Sequence, residues 1–188
     1  MLIPVEEYQR VVAIAGFKNV IINNTDKFLE LIAKAKQQDV EIQAFNAELV
    51  ATWQHLYFAV LNALKAFKNK ENISKNLAME TLLYASAQHQ IRKATEILGV
   101  RPDTPRMAIL IIGEKPEAVK SALMTISNQL RRKNDETVLE LTREKAANLQ
   151  TLFGISDNEL KTVAKGQRLD EALVDLIIER MALLATER

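Results

Sequence analysis

Cysteine is absent from this chain, and among its 188 residues only two histidines occur, His55 and His89. The first absence excludes disulfides, thiolate metal sites and a thiol nucleophile. The second leaves little material for a metal centre. Glycine and proline number five and four; they fall mainly at element boundaries, with no low-complexity segment or interdomain linker between. No apolar run approaches the roughly 18–20 residues of a membrane span, and the opening "MLIPVEEYQR" lacks the basic n-region of a signal peptide. Nor does the chain hold a GxxxxGK[ST], HExxH or GxSxG pattern. The expectation is a cytoplasmic protein without membrane contact, cofactor or catalytic residues.

What is present describes an ordinary globule, with 48% apolar and 26% charged residues, long enough to enclose a core as one domain over residues 1–188. The net charge of +1 hides an uneven distribution: residues 65–101 carry seven Lys/Arg against three Asp/Glu, while the flanks are weakly acidic. On counts alone such an excess is a solvated helix face.

Periodicity alternates along the chain. "RVVAIAGF", "VEIQAFNAEL", the continuously apolar "RMAILIIG" and "ETVLEL" read as strands. "NTDKFLELIAKAKQ", capped at Asn24 or Thr25, reads as an amphipathic helix, as does "EKPEAVKSALMTISNQLRRK". Two helices follow one another without a strand, Ala51–Asn69 and a long one from Ser74 to about Leu98. The short "KENI" between them predicts an antiparallel hairpin. "TREKAANLQTLFG", "SDNELKTVAKG" and "LDEALVDLIIERMALLATE" complete a helical C-terminal segment. The fold class is therefore α/β: a mixed domain with a helical hairpin in the middle.

On a helical wheel, Trp53, Leu56, Tyr57, Val60, Ala63, Leu64 and Phe67 form the core face of the first hairpin helix, and His55, Ala59, Asn62, Ala66 and Asn69 a small-residue strip that leaves a groove. The second helix places Asn76, Glu80 and Gln90 on its buried arc, where an unsatisfied polar group costs about 1–3 kcal/mol. Two readings fit. The polar groups clamp neighbouring backbone, or they line a cleft with the nearby cations and bind a ligand. For the second reading the candidates are Lys68, Asn72, Lys75, Asn76, Ser86, Gln90, Arg92 and Lys93, with Asn72 and Ser74 as caps whose helix start exposes N–H groups to a phosphate. Single-stranded RNA fits such a set.

The block "AFKNKENISKNLAMETLLYASAQHQIRKATEILGV", with "HLYFAVLNAL" before it and "AILIIG" and "FGISDNEL...LIIERMALL" after it, resembles the PRPK-binding-protein family (TPRKB and its archaeal counterparts), the small kinase-binding subunit of the KEOPS complex. The likeness spans most of the chain beyond about residue 45. It implies a non-catalytic subunit that docks on an atypical kinase and recruits tRNA through its 3′ CCA end for N6-threonylcarbamoyladenosine synthesis; a subunit that binds the kinase without touching RNA is the alternative. Here "SAQHQI" departs from the Gly and basic residue that many members carry after the Ser, so His89 replaces a firmer cation. The terminal helix is apolar over roughly 240° where about 100° serves one buried face. It is either buried on two sides or offers one side to a partner. With the resemblance, Ile177, Met181 and Leu184, one line at i, i+4, i+7, become the expected kinase anchors, and Asn76 and Gln90 the expected readers of the tail.

Overall fold

Four segments dominated by β-branched and small apolar residues pair as one antiparallel sheet in the computed structural model, which describes residues 1–166 and 168–186. They are β1 (Leu2–Val5), β2 (Arg10–Lys18), β3 (Val40–Asn46) and β4 (Arg106–Gly113), in the order β1-β2-β4-β3. The continuously apolar β4 lies between β2 and β3, and all of Met107–Gly113 is buried, as expected for a strand covered on both faces. β1 was not apparent from periodicity, being four residues long with Pro4 inside it. Its place on the sheet edge is where a residue without an N–H is tolerated.

Among the described residues the helices are α1 (Thr25–Ala35), α2 (Trp53–Asn69), α3 (Leu77–Ser86), α4 (Ile91–Leu98), α5 (Pro116–Leu130), α6 (Arg143–Leu152), α7 (Asp157–Ala164) and α8 (Leu169–Leu183). Local chemistry sets several of their ends. The Asn24 side chain accepts from the Lys27 N–H at the start of α1, Pro116 opens α5, and Ser156 and Glu159 form a reciprocal capping box at α7.

The chain divides into two compact units, each built from two stretches of sequence. The first, Met1–Ala47 with Gly99–Val138, holds the sheet, α1 and α5. Ala13, Ala15, Phe17, Ile109 and Ile111 from the sheet meet Phe28 and Ile32 of α1 and Val119, Ala122 and Ile126 of α5 in its core. The second, Glu48–Leu98 with Leu139 onward, is helical; its core gathers Ala51, Leu149, Phe153, Leu160, Leu173, Leu176 and Ile177.

Two expected elements differ. "ETVLEL" is not a strand: Glu136–Leu139 is a 3-10 turn. β1 covers β2 only from Arg10 to Ala13. Beyond it the Gly16 N–H donates to the Asn134 side chain (2.9 Å) and the Gly16 carbonyl accepts from the Asp135 N–H (2.8 Å). The Asp135 carboxylate in turn accepts from the Thr137 N–H and hydroxyl and pairs with Lys18. These bonds fold the segment tightly onto Gly16, where a Cβ would stand 2.5 Å from the Asp135 carbonyl oxygen. The second difference is the long helix, which is two helices. Ala87 adopts a left-handed conformation (φ 50°), and the Gln88 N–H returns to the Leu83 carbonyl (3.0 Å), closing α3 in a Schellman motif.

Candidate functional site

The polar residues of the basic segment gather at the two ends of α3, which at ten residues is about 15 Å long. At its start the chain leaves α2 through Lys70 in a left-handed conformation and arrives at Asn76, whose side chain accepts from the Met79 N–H (2.9 Å). Asn76 is therefore the cap and is exposed, rather than facing the core. The Ser74 hydroxyl accepts from the Asn76 N–H (3.2 Å) and the Asn72 amide donates to the Ser74 carbonyl (3.0 Å).

Glu80 holds this loop together. It is fully buried, and its Oε2 accepts from the Ile73 (3.0 Å) and Ser74 (2.7 Å) N–H groups. Bonds from N–H groups to a charged acceptor are stronger than neutral ones and compensate the burial of the carboxylate. Of the two sequence readings of Glu80, the backbone clamp is the observed one. Around this helix start the N–H groups of Ile73, Ser74, Asn76 and Met79 are already bonded within the loop.

At the other end, Ser86 is buried and donates its hydroxyl to the Leu82 and Leu83 carbonyls, so it does not face solvent. Gln90 is exposed, again contrary to the single-helix wheel, because the break at Ala87 resets the phase. Its carbonyl accepts from the Ala94 N–H at the start of α4, while its side-chain amide is unengaged among the described residues. Lys93 and, at the first end, Lys75 are exposed and equally unpaired; Arg92 faces Glu96 at 3.7 Å on the solvent side, and Lys68 is exposed at the end of α2. The small-residue strip of α2 forms no groove, since His55, Ala59 and Ala66 are buried.

His55 ties α2 to the end of α3. Its Nδ1 accepts from the Ala51 N–H (3.1 Å), which leaves the proton on Nε2, and Nε2–H donates to the Ala85 carbonyl (2.8 Å). Burial pushes the imidazole down to about 4, against the opposing effect of the Ala85 bond and with a smaller contribution from the Lys145 ammonium. His55 is a neutral structural bridge.

The terminal helix turns about half its circumference inward. Ile177 and Met181 are 0% exposed and Leu184 is 3% exposed, with Ile177 in the core of its own unit. Beside this buried arc, Val174 and Ile178 of α8 are half-buried. With Phe58 of α2 and Leu141 they floor a hollow of about 250 Å³, rimmed by Asp170, Glu171 and Asp175. Thr52 Oγ1 and Gln54 Oε1, on residues that also line the hollow, are buried without a hydrogen-bond partner. Among the described residues no cluster of three or more His, Asp or Glu could hold a metal ion, and no helix is long and apolar enough to cross a membrane.

Residues 17–185 match the family described as "Kinase binding protein CGI-121". The chain belongs to that family. It is also 31% identical over 116 residues to a protein described as "Regulatory protein Cgi121" from the archaeon Methanocaldococcus jannaschii, covering 62% of this chain and 72% of the relative. Membership of the CGI-121 family implies a kinase partner. Ile177, Met181 and Leu184 are buried side chains and present no surface, so replacing them perturbs packing first. On α8 of this CGI-121 chain, Leu169 and Leu183 are exposed, and the half-buried Val174 and Ile178 line the hollow. Both lie on the broad apolar arc read from sequence; Leu141 was hidden in the misread strand, and Phe58 faced away from the expected core.

Proposed function

We propose that this protein is the non-catalytic, kinase-binding subunit of a KEOPS-type tRNA-modification complex, acting in the cytoplasm and recruiting tRNA through its 3′ CCA end for N6-threonylcarbamoyladenosine synthesis. Membership of a kinase-binding family carries the kinase half of this reading. The tRNA half is supported by the unpaired ammonium groups of Lys75, just before α3, and Lys93, in the first turn of α4, with the unengaged Gln90 amide just ahead of α4. Exposed cations of this kind meet the phosphates of a single strand, and the amide a base edge.

The kinase occupies the α8 hollow in this reading. Its apolar floor and acidic rim fit a segment that presents an aliphatic or aromatic side chain flanked by Arg or Lys.

Two measurements test the two halves separately. Mobility of a tRNA with and without its CCA end, mixed with the isolated protein, is expected to show end-dependent binding that Lys75→Glu with Lys93→Glu weakens at least about tenfold. Co-purification with the kinase is expected to fail for Ile178→Arg while tRNA binding persists. Kinase binding without any tRNA shift would leave the alternative, a kinase-binding subunit that does not contact RNA; full kinase affinity in Ile178→Arg would refute the docking face.

A further inference from the structure

In the first unit, a cleft of about 640 Å³ lies between α1 and the end of α5. The kinase and tRNA surfaces just described, all in the second unit, make no use of it. Its walls are built by two left-handed residues, Asn19 just past β2 (φ 55°) and Arg131 just past α5 (φ 51°). Arg132 Nε donates to the Asn19 carbonyl (3.0 Å) and fixes one wall to the other. Lys27, Leu31 and Gln129 also border a second hollow of about 420 Å³, which adds Lys34 and Glu30.

The lining is one-sided in charge. Lys27, Lys34, Arg131 and Arg132 stand against Glu30 alone. Arg132 is committed to the wall, but the Lys27 and Lys34 ammonium groups and the Arg131 guanidinium have no hydrogen bond or ion pair among the described residues. The side-chain amides of Asn19, Asn23 and Gln129 are likewise unengaged. Apolar surface is supplied by Leu31, Leu130 and Ile21, the last 77% exposed.

We infer that this cleft binds a nucleoside phosphate, either as a residue of an RNA strand or as a free mononucleotide. The three kinds of group match the three parts of such a ligand. Free cations meet the phosphate, amides that both donate and accept meet a base edge, and aliphatic side chains with the guanidinium plane cover a base face. The cleft's size is that of a small-ligand site, 300–1,000 Å³ being typical. A partner's amphipathic helix lying along a groove needs a longer trough. As an RNA contact the cleft extends the tRNA reading above and rests on it; as a mononucleotide site it stands without it.

Isotope-labelled full-length protein, titrated with adenosine and cytidine monophosphates and with an unstructured oligonucleotide lacking a CCA end, tests this. The side-chain amide signals of Asn19, Asn23 and Gln129 are expected to shift to saturation. Lys27→Glu combined with Arg131→Asn is expected to weaken that binding at least about tenfold; Asn tolerates the left-handed conformation at position 131. Saturation by a mononucleotide identifies the free nucleotide as ligand, and saturation by the oligonucleotide alone identifies an RNA strand, with a salt slope reduced in the variant by about 0.7 per lost phosphate contact. Silent amide signals with all three probes, unchanged affinity in the double variant, or saturation of the cleft by a glutamate-rich peptide instead would overturn the inference. If the double variant does not fold, Lys27→Gln alone replaces it, with loss of at least about threefold expected. Lys75→Glu with Lys93→Glu serves as the independent arm: it reports on the tRNA reading and is expected to leave these three amide signals in place.

Discussion

Acidification from about pH 7 to about pH 4.5 is expected to weaken the fold through a single side chain, His55. In the folded protein both ring nitrogens are committed, Nδ1 as acceptor from Ala51 and Nε2 as donor to Ala85, inside a fully buried site. A second proton on Nδ1 would set donor against donor, and burial already holds the group near 4 against an ordinary value of 6.5. The unfolded chain thus takes up its proton first as the pH falls. The stabilisation is complete above about 6.5 and declines until about 4, by about 1.4 kcal/mol per pH unit. Across that window the loss is roughly 3 kcal/mol, a large part of the stability of an ordinary domain. Asp135 and Glu159 are held near 2, the first chiefly by Lys18, the second by the Ser156 N–H and Arg180. What they contribute is present above the ordinary carboxylate range and disappears only as the pH falls from there toward 2, so the upper part of the window isolates the histidine. Urea unfolding of the native protein and of His55→Gln at several pH values measures it. The variant keeps a donor for Ala85 but orphans the Ala51 N–H, costing about 1–3 kcal/mol at pH 7; its disadvantage should shrink steadily on acidification. Parallel stability curves, or an imidazole signal of His55 titrating near 6.5 in the folded protein, would refute the reasoning.

Three further substitutions probe the elements that sequence periodicity misjudged. Glu80→Ala orphans the Ser74 N–H, which is buried, and the Ile73 N–H beside it, and should cost about 2–5 kcal/mol in urea unfolding; a loss below about 1 kcal/mol would mean that the carboxylate is not the clamp. Gly16→Ala pushes a methyl group against the Asp135 carbonyl and Val138, and should lower the thermal midpoint by the equivalent of about 1–3 kcal/mol. Hydrogen exchange should localise that effect to residues 134–138, and protection unchanged there counts against the close approach. Ala87→Gly relieves a left-handed alanine and is expected to stabilise by about 1 kcal/mol. Were α3 and α4 one continuous helix, the same change would destabilise by about 0.5–1 kcal/mol, so the sign alone decides.

Local chemistry decided much of this protein in advance. Strand patterns at β2, β3 and β4, the Asn24 cap, the Ser156 capping box and the wide apolar arc of α8 all depend on neighbours within a few residues, and each is legible in the chain. The family resemblance was legible as well, in the block around α3. What tertiary structure alone decided has one recurrent cause, that a partner distant in sequence sets the outcome. The "ETVLEL" segment has strand composition, yet the part of β2 left bare by β1 takes the Asn134 side chain and the Asp135 N–H and turns the chain there instead. Ala87 carries no glycine to announce a stop, so the helix phase read through it put Gln90 on the wrong face and made Asn76 look buried when it is the cap. The α8 wheel showed how much of the helix is apolar, but a wheel has no neighbours: only packing separated the buried Ile177, Met181 and Leu184 from the accessible Val174 and Ile178. Both compact units are assembled from segments separated by about forty residues or more. The cations of α1 therefore meet those at the end of α5 through long-range pairing of the sheet, which no local pattern records.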